Sequence, residues 1–206
     1  CFAHPSDAPL VELRARHAGK PLMALAENRP MPPLQIMRQW QAHDLAQRPP
    51  LASVVLSLYN YAQRITEALK SVRVQTQKRL ELIVVDDASS DDGTAVVERW
   101  IDDCLCLGDH PFVRVLLLRH SQNTGLAAAR NTALVHSQAP WCFVLDADNA
   151  LFPDAVAECL ALADENDPQL AVVHPLLAVE AETGRLDDQR TLVSAATWQR
   201  ERLSVG

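Results

Sequence analysis

Asp146 and Asp148 stand two residues apart, directly after the apolar run Trp141–Leu145. Two carboxylates at that spacing suit a hard divalent cation such as Mg²⁺ or Mn²⁺, which takes oxygen ligands and keeps positions for phosphate oxygens and water. A second acidic pair, Asp86-Asp87, ends the apolar run Leu80–Val85. A carboxylate there can accept the N3–H of a uracil ring; the alternative is charge placement at a helix N-terminus. Tyr59-Asn60 ends a third apolar run, and Tyr59 can stack on or flank the same ring. Gly125 opens a further segment and permits close backbone approach. Arg130, about a turn and a half on, can bind a nucleotide or hold a strand-end aspartate in a bidentate contact. For Asp146 and Asp148, the alternative is helix capping or a solvated turn.

These residues need elements that bring them together. Ser53–Leu58, Leu80–Val85, Phe112–Leu118, Trp141–Leu145 and Leu170–His174 are short, apolar and β-branched, as buried strands are. Between them lie segments with helical patterning: 62–76, 93–103 with Ser90 and Asp91 as capping oxygens, 125–137, and 153–163 with Pro153 in its first turn. Strands alternating with helices predict a parallel sheet covered on both faces. In such a sheet, ligands sit beyond the carboxyl ends of the strands. Three of those ends carry the polar and acidic residues named above.

Residues 1–50 have a different composition. Six Lys and Arg stand against four acids, for +2, whereas residues 51–206 carry −9 of the total −7. Prolines 30, 32, 33, 49 and 50 break this stretch, and two helices are expected in it, over 7–18 and 34–47. It reads as a linker or the tail of an upstream module, with 51–206 as the main domain. The chain starts at Cys1 and is expected to be a piece of a longer protein.

The net charge of −7 argues against a nucleic-acid-binding face. It also means that a phosphorylated ligand needs a local cation. The five cysteines form no CxxC pair, which fits reduced thiols in a cytosolic protein. No apolar run is long enough to span a membrane. Neither GxxxxGK[ST] nor GxGxxG occurs, which counts against kinases and dehydrogenases and favours a metal at the phosphates.

Four stretches taken in order, SVVLSLYN (53–60), LELIVVDDASSDDGT (80–94), NTGLAAARNTAL (123–134) and FVLDADN (143–149), resemble the family 2 glycosyltransferases. The resemblance covers about residues 51–175. It implies an α/β fold of the GT-A (Rossmann-like) type, with a mostly parallel sheet flanked by helices, here truncated on the C-terminal side. It implies inverting transfer from a nucleotide-diphosphate sugar, UDP-linked being favoured, with Mn²⁺ or Mg²⁺. Carried over by position, Leu58 and Tyr59 would line the base pocket and Asp87 would hold the uracil. Asp146 and Ala147 would lie against ribose and diphosphate, and Asp148 would be the direct metal ligand beside Asp146. The family often has proline where this chain has Leu58.

The general base and the acceptor segment are expected past Gly206; Glu180, Glu182, Asp187 and Asp188 are the only acids in a plausible window within this chain. The acceptor would be a glycan, a lipid-linked molecule or a protein. Location would be cytoplasmic, at the face of a membrane if parts outside this chain carry helices. Two other readings stand beside this one. A nucleotidyltransferase would normally show a Gly-rich basic loop after the first strand, where this chain has Tyr59-Asn60-Tyr61-Ala62-Gln63. A degenerate transferase domain could serve as a binding or scaffold module.

Overall fold

The computed structural model describes residues 2–3 and 33–163. Its elements, in order, are β1 (Phe2–Ala3), β2 (Leu34–Gln41), β3 (Ala52–Leu58), α1 (Ile65–Arg73), β4 (Leu80–Asp86), α2 (Gly93–Leu107), β5 (Phe112–His120), α3 (Leu126–His136), β6 (Trp141–Asp146) and α4 (Ala155–Leu162). One sheet of order β1-β6-β3-β4-β5-β2 contains all the strands. The four inner strands are parallel, and β1 and β2 run antiparallel at the two edges.

The inner strands form where the sequence is mostly apolar, because both faces are covered. On one face, Ile65, Ala68, Leu69 and Val72 of α1, Val97, Ile101 and Cys104 of α2, and Val156 and Cys159 of α4 pack against Val54, Leu56, Val84 and Leu117. On the other face, α3 lays Ala129 and Ala133 against Val55, Ile83, Val85, Leu116 and Leu118. Each large aliphatic side chain so buried is worth about 1.5–3 kcal/mol. Gly108, at φ 72°, ends α2 in the left-handed conformation that glycine adopts without a Cβ clash.

The stretch 34–47, expected as a helix inside a linker, is instead edge strand β2 followed by a turn. Leu34, Met37 and Trp40 are its partly buried positions, a three-residue spacing that mimics a helix. The cause is a bulge: Ile36 pairs with Leu118 and Arg38 with Leu117, leaving Met37 extra. The bulge moves the inward side chains from one face of the sheet to the other. Leu34 therefore packs on the α3 side, and Met37 and Trp40 pack on the α2 side. Arg38 ties the edge to α2 through Glu98 (3.0 Å) and Asp102 (3.4 Å).

At the N-terminal pole of the parallel strands lies a buried polar cluster. Glu81 is fully buried and accepts from Ser53 Oγ, from Arg114 Nη1 and from the Gln138 amide (2.9 Å). Arg114 also donates to the carbonyl of His136 at 3.0 Å. Cys104, Cys142 and Cys159 are buried free thiols and Cys106 is an exposed one. Burial pushes the Cys142 thiol up to about 11. The expected helix at 7–18, the strand at 170–174 and the acids between 180 and 188 lie outside the described residues. Among the described residues no helix is long and apolar enough to cross a membrane.

Candidate functional site

The carboxyl ends of β3, β4 and β6 are adjacent in the sheet, so Tyr59, Asp86-Asp87 and Asp146-Ala147-Asp148 come to one pole. Two loops there are clamped to each other. The Asn60 side-chain oxygen accepts from the Ser90 amide (2.8 Å) and hydroxyl (3.1 Å), and the Asn60 backbone amide donates to Ser89 Oγ at 3.0 Å. Asp91 accepts from the Ala62 amide (3.0 Å) and from the Gly93 amide (3.0 Å) at the first residue of α2, but the N-cap position is Asp92, which makes no side-chain cap bond, and Ser90 serves Asn60 instead. Asn60 (φ 57°) and Ala88 (φ 60°) both take left-handed backbone conformations in these loops. Gly93 is crowded, since a Cβ there would stand 2.9 Å from Asp91 Oδ1 and 3.2 Å from Leu58 Cδ2.

The expected site residues divide by exposure. Tyr59 is 46% exposed, and Asp148 is exposed on the turn after β6. Gly125, Arg130 and Asp146 are half-buried. Leu58 is fully buried in the core against Gly93, so its side chain lines no open pocket; its carbonyl accepts the Asp87 amide at 2.8 Å. Any contact of Leu58 with a base would therefore come from its backbone. Ala147 is also buried, so any contact it makes with a ribose or diphosphate would have to come from its backbone.

Asp87 is the most heavily hydrogen-bonded of the expected site residues. It is buried, and both of its oxygens are taken by the chain itself. His120 Nδ1 lies 2.6 Å from Oδ1, the Thr124 amide and hydroxyl each donate to Oδ1 at 2.9 Å, and the Gly125 amide donates to Oδ2 at 2.6 Å. Burial pushes this carboxyl upward, but the donors from His120, Thr124 and Gly125 outweigh it and hold it below the usual carboxylate range. It does serve a helix N-terminus, that of α3 across the sheet rather than that of the helix following it in sequence.

Asp86 is engaged in the same way on the other face. It accepts from the Ser89 amide (2.9 Å) and hydroxyl (2.5 Å), from Thr94 Oγ1 and from Arg119 Nη1 (2.9 Å). Arg119 and His120, which sequence reasoning passed over, are thus the partners of the acidic pair. A signal was present: a polar pair directly follows the apolar run Val115–Leu118, just as Asp86-Asp87 ends theirs.

Arg130 Nη2 meets Asp146 Oδ1 at 2.5 Å through one nitrogen, an end-on contact rather than a bidentate one. Its buried Nε has no partner among the described residues. The Asp146 side chain remains 42% exposed beside this pair. No group of three or more metal-binding side chains occurs among the described residues. The available donor set is therefore two carboxylates with hard oxygens, one held by Arg130 and one open to solvent. This fits a cation that completes its shell with phosphate oxygens and water.

A family model, glycosyl transferase family 2, matches residues 53–202. The chain belongs to glycosyl transferase family 2. It is 30% identical over 115 residues to an uncharacterized glycosyltransferase of Rickettsia conorii, covering 56% of this chain and 17% of that protein. It is 32% identical over 123 residues to the succinoglycan biosynthesis protein ExoO of Rhizobium meliloti, covering 60% of this chain and 32% of that protein. This family chain thus spans a third or less of the length of both relatives. Among solved structures, it is similar to the mannosyltransferase PcManGT from Pyrobaculum calidifontis, in complex with GDP-Man and Mn²⁺. That similarity has 27% identity and a TM-score of 0.50, and covers 75% of this chain and 43% of the other. The α/β architecture, with its mostly parallel sheet flanked by helices, is the GT-A fold expected from sequence.

Proposed function

We propose that this chain binds the donor of an inverting glycosyltransferase, a nucleotide-diphosphate sugar with UDP-linked donors favoured, together with Mn²⁺ or Mg²⁺. The observation that carries this is the pair Asp146 and Asp148 at the carboxyl end of β6, beside Arg130, in a family 2 chain. The relative in complex with GDP-Man and Mn²⁺ supports both a nucleotide sugar and a divalent cation.

Asp148, exposed, and Asp146 would hold the cation; bound there, it would neutralise the diphosphate and stabilise the nucleotide leaving group. Arg130 keeps Asp146 oriented and adds a fixed positive charge next to the diphosphate position. Tyr59, exposed at the end of β3, flanks the base. Gly125 offers a backbone with no side chain near the sugar-phosphate path. A general base would deprotonate the acceptor hydroxyl, which attacks the anomeric carbon from the side opposite the leaving group. We assign that base and the acceptor pocket to protein outside the described residues. The acceptor is a glycan, a lipid-linked molecule or a protein.

Calorimetric titration with UDP, with GDP as comparator and with and without Mn²⁺, tests this reading. Binding that needs Mn²⁺ and is lost in Asp148→Ala supports it. Equal affinity of wild type and Asp148→Ala in the presence of Mn²⁺ would remove Asp148 from the site.

A further inference from the structure

The segment after Asp148 is tied to the end of α1, which lies 77 to 81 residues earlier in the chain. Gln75 follows α1 closely and is 2% exposed. Its side-chain nitrogen donates to the carbonyls of Ser71 (3.0 Å) and Phe152 (2.7 Å), and its side-chain oxygen accepts from the Val156 amide at 3.1 Å. Both donor hydrogens of this amide are therefore in use, with one lone pair. Ser71, one turn back on α1, is buried as well. Its hydroxyl donates to the Ala68 carbonyl at 2.7 Å and accepts from the Leu151 amide at 3.0 Å. The Thr76 amide adds a bond to the Pro153 carbonyl at 2.8 Å.

These bonds do for α4 what its own cap does not. The Val156 amide belongs to the first turn of that helix, where backbone donors lack partners within the helix. Asp154 at the N-cap makes no side-chain cap bond, so Gln75 supplies the acceptor from across the fold.

The ties also bear on the candidate cation site. Asp148 is exposed on a turn closed by the bond from the Asn149 amide to the Asp146 carbonyl at 3.1 Å. On one side of this turn is β6, held in the sheet by β3. On the other side is Leu151, the first residue tied to α1. Three residues reach at most about 11 Å, so Asp148 is tethered closely at both ends. Ordering a ligand before the cation arrives removes a cost that binding would otherwise carry.

We propose that Gln75, together with Ser71, is a positioning residue for the cation site. The two side chains pin residues 151–156 to the end of α1, and this holds the turn that carries Asp148 beside Asp146. The effect on binding rests on the donor-site reading, whereas the ordering of the turn can be tested without any ligand.

Two variants remove the ties in different degrees. Gln75→Met keeps the length of the side chain and loses all three of its bonds. Ser71→Ala keeps the packing and frees only the Leu151 amide from its partner in α1. Backbone order parameters from ¹⁵N relaxation, measured on the whole chain, should fall at Asp148 and Asn149 from about 0.85 to about 0.6 in Gln75→Met and by less in Ser71→Ala, with Val84 in β4 unchanged. Mn²⁺ affinity at saturating UDP, read from the EPR signal of the free ion, should weaken about tenfold in Gln75→Met and about threefold in Ser71→Ala. Glu81→Ala, at the opposite pole of the sheet, should bind Mn²⁺ as wild type does when it is measured folded.

Unchanged order parameters at Asp148 and Asn149 in both variants would overturn the proposal. So would wild-type Mn²⁺ affinity in a variant whose turn has loosened, or an equal weakening in Glu81→Ala, which would trace the loss to stability alone. Wild type that binds UDP no better with Mn²⁺ than without it would sink the donor-site reading instead. The order parameters would then still decide whether Gln75 and Ser71 hold the turn.

Discussion

Replacing Glu81 by alanine should be among the most destabilising single changes in this chain, yet should leave the ligand site intact. Glu81 has no exposed surface, and its partner Arg114 is 8% exposed. Removing the carboxylate strands a buried guanidinium, which keeps only the carbonyl of His136. It also strips the Gln138 amide and the Ser53 hydroxyl of an acceptor, although Ser53 retains Ser137 Oγ at 2.6 Å. Breaking one side of a buried ion pair costs about 3–5 kcal/mol. For a chain of this size, each kcal/mol lowers Tm by about 2–4 °C, so a fall of roughly 6–20 °C is expected. The double variant Glu81→Leu/Arg114→Leu removes both charges and should recover most of that loss, because buried pairs replaced by apolar residues are often neutral. Urea and thermal unfolding followed by tryptophan fluorescence measure both effects. Glu81 lies five residues before Asp86 along β4, about 17 Å from the strand end, so nucleotide affinity of the folded single variant should match wild type. A loss below about 1 kcal/mol for Glu81→Ala, or a double variant as unstable as the sum of the singles, would refute the reasoning.

Two other perturbations test the loops. Ala88 sits at φ 60°, where a Cβ is strained, so Ala88→Gly should stabilise by about 0.5–1 kcal/mol in urea unfolding despite the greater freedom of glycine when unfolded. The Asp87 carboxyl is held below its usual value in the fold, so its contribution is present above the unfolded pKa of about 3.9 and is lost as pH falls through the folded value. Unfolding free energies measured between pH 6 and pH 3 should therefore fall more steeply for wild type than for Asp87→Asn.

The inner sheet was legible because its strands are buried on both faces and read as mostly apolar runs. The helices were legible because α1 and α2 carry apolar residues at helical spacing on one face only. Edge strand β2 was not legible: the bulge at Met37 turns a strand's two-residue alternation into the spacing Leu34, Met37, Trp40. Asp146, Asp148 and Arg130 could be placed from sequence because strand ends in a parallel sheet converge and because the helix after Gly125 follows the third strand. The fate of Asp87 could not, since it depends on β5 lying beside β4 and on His120 facing α3, and single-sequence patterning does not give strand order. Leu58 showed the same limit, because its burial follows from the close approach of Gly93 on a helix 35 residues later.

The central claim is that Asp146 and Asp148 hold a divalent cation on the diphosphate of a nucleotide sugar. Crystals of the protein grown with UDP and Mn²⁺, measured for manganese anomalous scattering, test it most directly. The account predicts one anomalous peak bonded to Asp148 and the diphosphate at the carboxyl end of β6, with Asp146 beside it. A diphosphate bound with no peak there, or a peak away from both carboxylates, would contradict it.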